Sequence, residues 1–237
     1  MKFKKTAVIL KISNENFEEI VKKAVKSIKE GKVLVCPTDT VYGLLADATN
    51  KEAVSKLFKV KKRQIKKPIP IFIRNIKMAE KLAVINQEQE IFLKKVWPGK
   101  TTAVLKRRQG IKIFGMGKKT IALRIPNYKF LNALIEKINR PLTGTSANIS
   151  RKPASTNIKG VIRQFAEAVA SSHTEPSDSW VRREKKTKFS ATASAKASAF
   201  ENQEYQPDLI IDDGNLKKAK PSKVIDLTGK KPKILRK

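Results

Sequence analysis

Cysteine and histidine are almost absent from this 237-residue chain, where Cys36 and His173 stand alone. One cysteine allows no internal disulfide, and the two residues cannot build a zinc cage. A Ser/His/Asp or Cys/His triad has poor footing too, with Cys36 beside Pro37 and His173 in a stretch of low-complexity composition. No apolar run approaches the roughly 20 residues of a membrane-spanning helix, so no membrane contact is expected. The start, Met1 to Leu10, is basic and then apolar, but the apolar part breaks at Lys11. That is shorter than the roughly 7–15 residues of a signal-peptide core. A cytoplasmic protein is the expectation.

Acidic residues are scarce as well: 21 against 52 Lys and Arg, for a formal charge of +31 and a pI of about 10.3. A field of that sign attracts polyanions such as nucleic acid and nucleotides. Lysine is scattered through every segment, however. Composition alone does not separate a specific RNA-binding role from a diffusely basic surface.

Periodicity supplies the elements. Thr6–Ile12 reads as a strand. Asn16 with Glu19 reads as a capping box for a helix carrying Phe17, Ile20, Val21, Ala24, Val25 and Ile28, stopped by Gly31. Lys32–Cys36 is a strand, and Asn50 caps a helix with Ala53, Val54, Leu57 and Phe58. Further strands are expected at Pro70–Ile73, Thr101–Lys106, Thr120–Ile125, Pro141–Thr145, Leu209–Ile211, Lys223–Leu227 and Lys233–Leu235. Helices are expected at Ile76–Val84, Glu88–Val96, Tyr128–Ile138 and Ile158–Phe165. Strands and helices mix without strict alternation, which predicts an α/β (α+β mixed) domain on a twisted mixed sheet with flanking helices. Residues 166–204 are rich in Ala, Ser, Thr and Lys with few core formers. They are read as a disordered low-complexity insertion within a single domain spanning 1–237.

Five motifs carry chemistry. Pro37-Thr38-Asp39-Thr40-Val41-Tyr42-Gly43-Leu44 follows a short apolar strand. It puts hydroxyls, a carboxylate and a glycine at a strand end, where α/β sheets bind small molecules. Lys61-Lys62-Arg63-Gln64-Ile65-Lys66-Lys67-Pro68 is either a solvated basic loop or a clamp on polyphosphate, with lysines as point charges and arginine as a two-pronged donor. In Thr120-Ile121-Ala122-Leu123-Arg124-Ile125-Pro126, alternate residues share a face, and a buried arginine there would call for an anion. Thr143-Gly144-Thr145-Ser146-Ala147-Asn148-Ile149-Ser150 is a hydroxyl-rich turn able to bond a nucleotide. Pro221-Ser222-Lys223-Val224-Ile225-Asp226 precedes Ile234-Leu235-Arg236. The P-loop fragments Gly99-Lys100-Thr101 and Gly117-Lys118-Lys119 lack the glycine required upstream.

These motifs, in this order, resemble the YrdC-like family of threonylcarbamoyl-AMP synthases, short form, over residues 15–165 and 205–237. The resemblance implies a YrdC-like fold and a nucleotidyltransferase that makes threonylcarbamoyl-AMP and pyrophosphate from L-threonine, bicarbonate and ATP, with Mg2+ assisting. A downstream tRNA threonylcarbamoyl transferase would use the product to form N6-threonylcarbamoyladenosine. The resemblance assigns Thr40, Arg124, Ser146 and Ser222 to threonine, and Lys61, Arg63, Lys67, Thr120, Asn148 and Arg236 to ATP. No side chain is assigned to a metal. The chain departs from the family pattern at Phe72 (often His), Arg151 (Gly) and Lys223 (Thr). The alternative reading is a non-catalytic basic module that binds tRNA or double-stranded RNA.

Overall fold

The computed structural model describes residues 7–65, 67–170, 206–229 and 231–237. In chain order the first elements are β1 (Val8–Lys11), α1 (Phe17–Lys29), β2 (Leu34–Cys36), β3 (Gly43–Leu45), α2 (Lys51–Val60) and β4 (Ile71–Phe72). Next come α3 (Ile76–Leu82), β5 (Ala83–Val84), α4 (Gln87–Val96), β6 (Thr101–Arg107), β7 (Thr120–Arg124) and α5 (Lys129–Ile138). The last are β8 (Leu142–Thr143), β9 (Thr145–Ser146), α6 (Ile158–Ala170), β10 (Leu209–Asp212), β11 (Lys223–Asp226) and β12 (Lys233–Arg236). The mixed α/β class is as the periodicity predicts. No helix among the described residues is long and apolar enough to cross a membrane.

The strands form two mixed sheets. One runs β1-β10-β2-β3-β9, and the other β12-β11-β6-β7-β4-β8 with β5 beside β6. β10 pairs in parallel with β1 on one side and β2 on the other, and Leu209, Ile210 and Ile211 are all buried. That continuous apolar run is what a strand covered on both faces requires. Successive side chains point to opposite faces. Leu34 and Cys36 therefore join α1 and α5 in one core, while Val33 and Val35 join α2 and α6 in another. A third core lies between α3, α4 and the inner residues of β6, β7 and β11.

One glycine joins the sheets. The strand expected over Pro141–Thr145 is split: β8 pairs with β4 in one sheet, β9 pairs with β3 in the other, and Gly144 lies between them. A Cβ on Gly144 would come within 2.6–2.7 Å of the Phe72 ring, a distance only glycine avoids.

Other local expectations change in detail. Asn16 makes no side-chain cap to α1; its Oδ1 accepts from Ser13 N–H and its Nδ2 donates to the Lys11 carbonyl, while Glu19 pairs with Lys23. The reciprocal box forms instead at α4, between Asn86 and Gln89. β3 escapes periodicity because its three residues are all buried and show no alternation. α6 continues past Phe165 to Ala170, with Ala168 packed in the core. The rest of the expected insertion, 171–204, lies outside the described residues.

Candidate active site

A cavity of about 670 Å³ opens where the two sheets meet. Its wall takes Thr38 and Thr40 from the β2–β3 turn, the 61–67 loop after α2, Arg124 from the end of β7, Ser146 and Asn148 from β9 and its turn, and Ser222 and Arg236 beside and on β11 and β12. Among the described residues, no aspartate or glutamate lines it. All the residues singled out from the sequence except Thr120 are brought together. Thr120 starts β7 opposite Lys106, while Arg124 ends the strand. Four steps of a strand, roughly 13 Å, separate them.

Lys61 is the C-cap of α2 and only 3% exposed. Its ammonium donates to the Ser146 carbonyl (2.5 Å), Asn148 Oδ1 (2.9 Å) and the Asn148 carbonyl (3.1 Å), with Ser146 Oγ at 3.4 Å. Burial, then the nearby charge of Arg63, pulls its pKa down to about 7. The carbonyl oxygens act the other way, because none can donate to a neutral amine. Asn148 is equally engaged: Oδ1 also accepts from Ser146 Oγ (2.6 Å), and Nδ2 donates to the carbonyls of Ile149 (2.9 Å) and Lys152 (2.5 Å). Lys61, Ser146 and Asn148 thus form a network that sets the shape of the 145–152 turn.

Arg63 bends back on its own loop, donating from Nε to the Lys67 carbonyl (3.1 Å) and from Nη2 to the Pro68 carbonyl (3.0 Å). This bracing holds the basic loop open with Lys67 exposed on the rim. Lys62 adopts a left-handed φ of 48° and reaches the Ala168 carbonyl in the last turns of α6, at 3.2 Å.

Arg124 is 4% exposed and does have an anion, supplied by the protein. Its Nη2 donates to Asp39 Oδ1 (2.5 Å), its Nε to the Gly99 carbonyl (2.9 Å), and the Phe72 ring centroid lies 5.7 Å from the guanidinium carbon. Ser222 bonds Thr102 across β11 and β6 (Oγ to Oγ1, 3.1 Å). Arg236 clasps Ser222 twice, from Nε to its carbonyl (2.9 Å) and from Nη2 to its hydroxyl (3.0 Å). β12 pairs antiparallel with β11, which fixes Arg236 opposite Val224. Thr38 Oγ1 donates to the Val41 carbonyl (2.6 Å) and accepts from Thr40 N–H (3.1 Å), so the turn presents Thr40 in a set orientation.

Thr102 is a wall residue outside every motif, and Gln64 and Ser150 are wall residues inside motifs that the sequence reading gave no individual role. Thr102 carries no local signal beyond a hydroxyl in an apolar strand. Ser150 Oγ is buried without a hydrogen-bond partner among the described residues, a cost the fold tolerates beside a ligand cavity.

A family profile described as "Telomere recombination", for Sua5, YciO and YrdC proteins, matches residues 26–176. The chain belongs to the Sua5/YciO/YrdC family. It is 34% identical over 161 residues to a putative threonylcarbamoyl-AMP synthase of Methanocaldococcus jannaschii, covering 68% of this chain and 76% of that one. It is 36% identical over 160 residues to the threonylcarbamoyl-AMP synthase of Pyrococcus abyssi, covering 67% of this chain and 47% of that one. The structure of P. abyssi Sua5 complexed with L-threonine superposes with a TM-score of 0.73 at 30% identity, over 97% of this chain and 56% of the other. The chain therefore spans about half the length of the P. abyssi protein.

Against the pattern of the Sua5/YciO/YrdC family, two departures acquire a physical meaning. Arg151 has a φ of 72°, where glycine is the residue without a steric penalty. Phe72 sits between Gly144 and Arg124, offering a ring face and no hydrogen bond.

Proposed function

We propose that the chain is a threonylcarbamoyl-AMP synthase, taking L-threonine, bicarbonate and ATP to threonylcarbamoyl-AMP, pyrophosphate and water. The observation that carries this reading is the gathering of nine dispersed motif residues around one cavity, cationic on its loop side and bounded by Arg124 on the other. The volume falls within the roughly 300–1,000 Å³ of small-molecule sites.

In this reading Arg124 receives the threonine carboxylate through Nη1, while Thr40, Ser146 and Ser222 orient the amino acid. The threonine amine combines with bicarbonate, losing water, to give a carbamate. A carbamate oxygen attacks the α-phosphorus and pyrophosphate leaves. Arg63, Lys67 and Arg236 neutralise the phosphates. Lys61 and Asn148 act by holding the 145–152 turn against the nucleotide. Positioning and charge neutralisation suffice for such a transfer; Cys36, fully buried with its thiol pushed up by burial, is outside the cavity wall.

Among the described residues the wall does not suit a protein-held metal: none of its side chains is a carboxylate, and no cluster of three His, Cys, Asp or Glu occurs. Magnesium brought in with ATP would be held by the phosphates and would offset part of their charge. Supply of product to a downstream tRNA threonylcarbamoyl transferase belongs to the same reading. So does docking of tRNA, favoured by the absence of any acidic residue between Glu90 and Glu136.

The test is pyrophosphate release by the purified chain. Release should require threonine and bicarbonate together and fall sharply with serine. Arg63→Ala should abolish it with the fold intact. Release independent of threonine would overturn the assignment, and steep salt-dependent tRNA binding without turnover would favour the binding-module reading.

A further inference from the structure

Among the cations of the cavity wall, Arg124 stands against a buried carboxylate. Lys61, Arg63, Lys67, Arg151 and Arg236 make no ion pair with a described residue, whereas Arg124 meets Asp39 at 2.5 Å with both side chains buried, 4% and 7% exposed. Asp39 is not part of the wall; it stands behind Arg124, in the turn after β2. Both of its oxygens are engaged, since Oδ2 accepts the Asn127 N–H at 3.1 Å. The guanidinium is thus fixed on two sides, by Asp39 at Nη2 and by Gly99 at Nε. Nη1 donates to no described residue and is not sealed from solvent.

The electrostatic consequence differs between ligands. A paired arginine keeps its directional donors but carries no net charge with its partner. A monoanionic carboxylate can use the two Nη1 protons and meets Asp39 only as one weak repulsion. A phosphate dianion meets twice that repulsion in a place where water screens it poorly. On the loop side of the cavity, Arg63 and Lys67 make no ion pair with a described residue and favour the higher charge, while Arg236, held on Ser222, stands close enough for its charge to act on Arg124. A ligand set made of one carboxylate and one polyphosphate then has a single favourable arrangement.

We infer that Asp39 is a specificity-determining residue: it cancels the charge of Arg124, so that this guanidinium takes a monoanionic carboxylate and turns phosphate away. The inference rests on the reading of Arg124 as the anchor of the amino-acid carboxylate. It adds a reason why the two anionic substrates do not exchange places.

Calorimetric titration of the full chain with L-threonine and with inorganic phosphate tests it without turnover. In the wild type, saturating phosphate should change the threonine Kd by less than about twofold. Asp39→Asn, which keeps the shape and removes the charge, should bind one more equivalent of phosphate than the wild type. Phosphate should then weaken its threonine binding by about tenfold, and Arg124→Met in the same chain should erase the extra site. Competition between phosphate and threonine in the wild type overturns the inference and needs no variant to fold. An Asp39→Asn protein with no added phosphate site overturns it as well, and reduces Asp39 to a brace between the sheets. A wild type that binds no threonine removes the amino-acid reading of Arg124, while the phosphate count still decides the role of Asp39.

Discussion

The inner wall of the cavity and its rim are built from the same residue types and hold them in opposite ways. On the inner wall, Lys61 is 3% exposed and its protons all go to oxygens of the 145–148 turn. On the rim, Lys67, six residues further along the same basic run, is exposed. Arg124 is buried against a carboxylate, whereas Arg236 projects from an exposed edge strand onto Ser222. The inner groups determine the shape of the site, and the rim groups supply its charge. A cationic run in a sequence is therefore not one functional unit, because burial divides it.

This division predicts which substitutions lower stability and activity together and which separate them. Lys61→Ala should have the largest effect. It strips the charged donor from buried oxygens of Ser146 and Asn148, a loss of about 3 kcal/mol, read as a fall in Tm together with loss of turnover. Gly144→Ala follows, at about 2 kcal/mol, because its Cβ would overlap the Phe72 ring where the sheets join. Phe72→Leu in the same chain should restore part of the Tm.

Titration sharpens the picture of Lys61. With its pKa pulled from 10.5 to about 7 by burial, the native state binds fewer protons than the unfolded state between those values. Stability should then rise with pH from about 7 to about 10.5, and the rise should vanish below 7, where both states are protonated. Comparing pH profiles of Tm for the wild type and Lys61→Met isolates this contribution; matching profiles would mean that the carbonyl oxygens keep the proton on. On the rim, Arg151→Gly should raise stability by about 0.5–1 kcal/mol, by relieving its left-handed backbone. Lys67→Ala should leave Tm within about 0.5 kcal/mol and raise the KM for ATP. A large fall in Tm with Lys67→Ala would break the distinction between wall and rim.

The sequence by itself determined the class of fold, most elements and nearly all the residues around the cavity. Helices such as α2 and α5 were legible because one apolar face repeats every three to four residues. The motif residues were legible because hydroxyls, glycines and cations fall in an ordered pattern. Tertiary structure decided the rest. It split Pro141–Thr145 between two sheets at Gly144, since only the approach of Phe72 makes that glycine a corner. Thr120 fell outside the cavity because a strand carries its two ends far apart. Lys61 acquired the oxygens of Ser146 and Asn148, and Arg124 acquired Asp39, 85 residues away along the chain. Local pattern fixes which face of an element is apolar. Which charges meet, and which are left facing the cavity, depends on contacts between segments far apart in sequence, and no local periodicity encodes those.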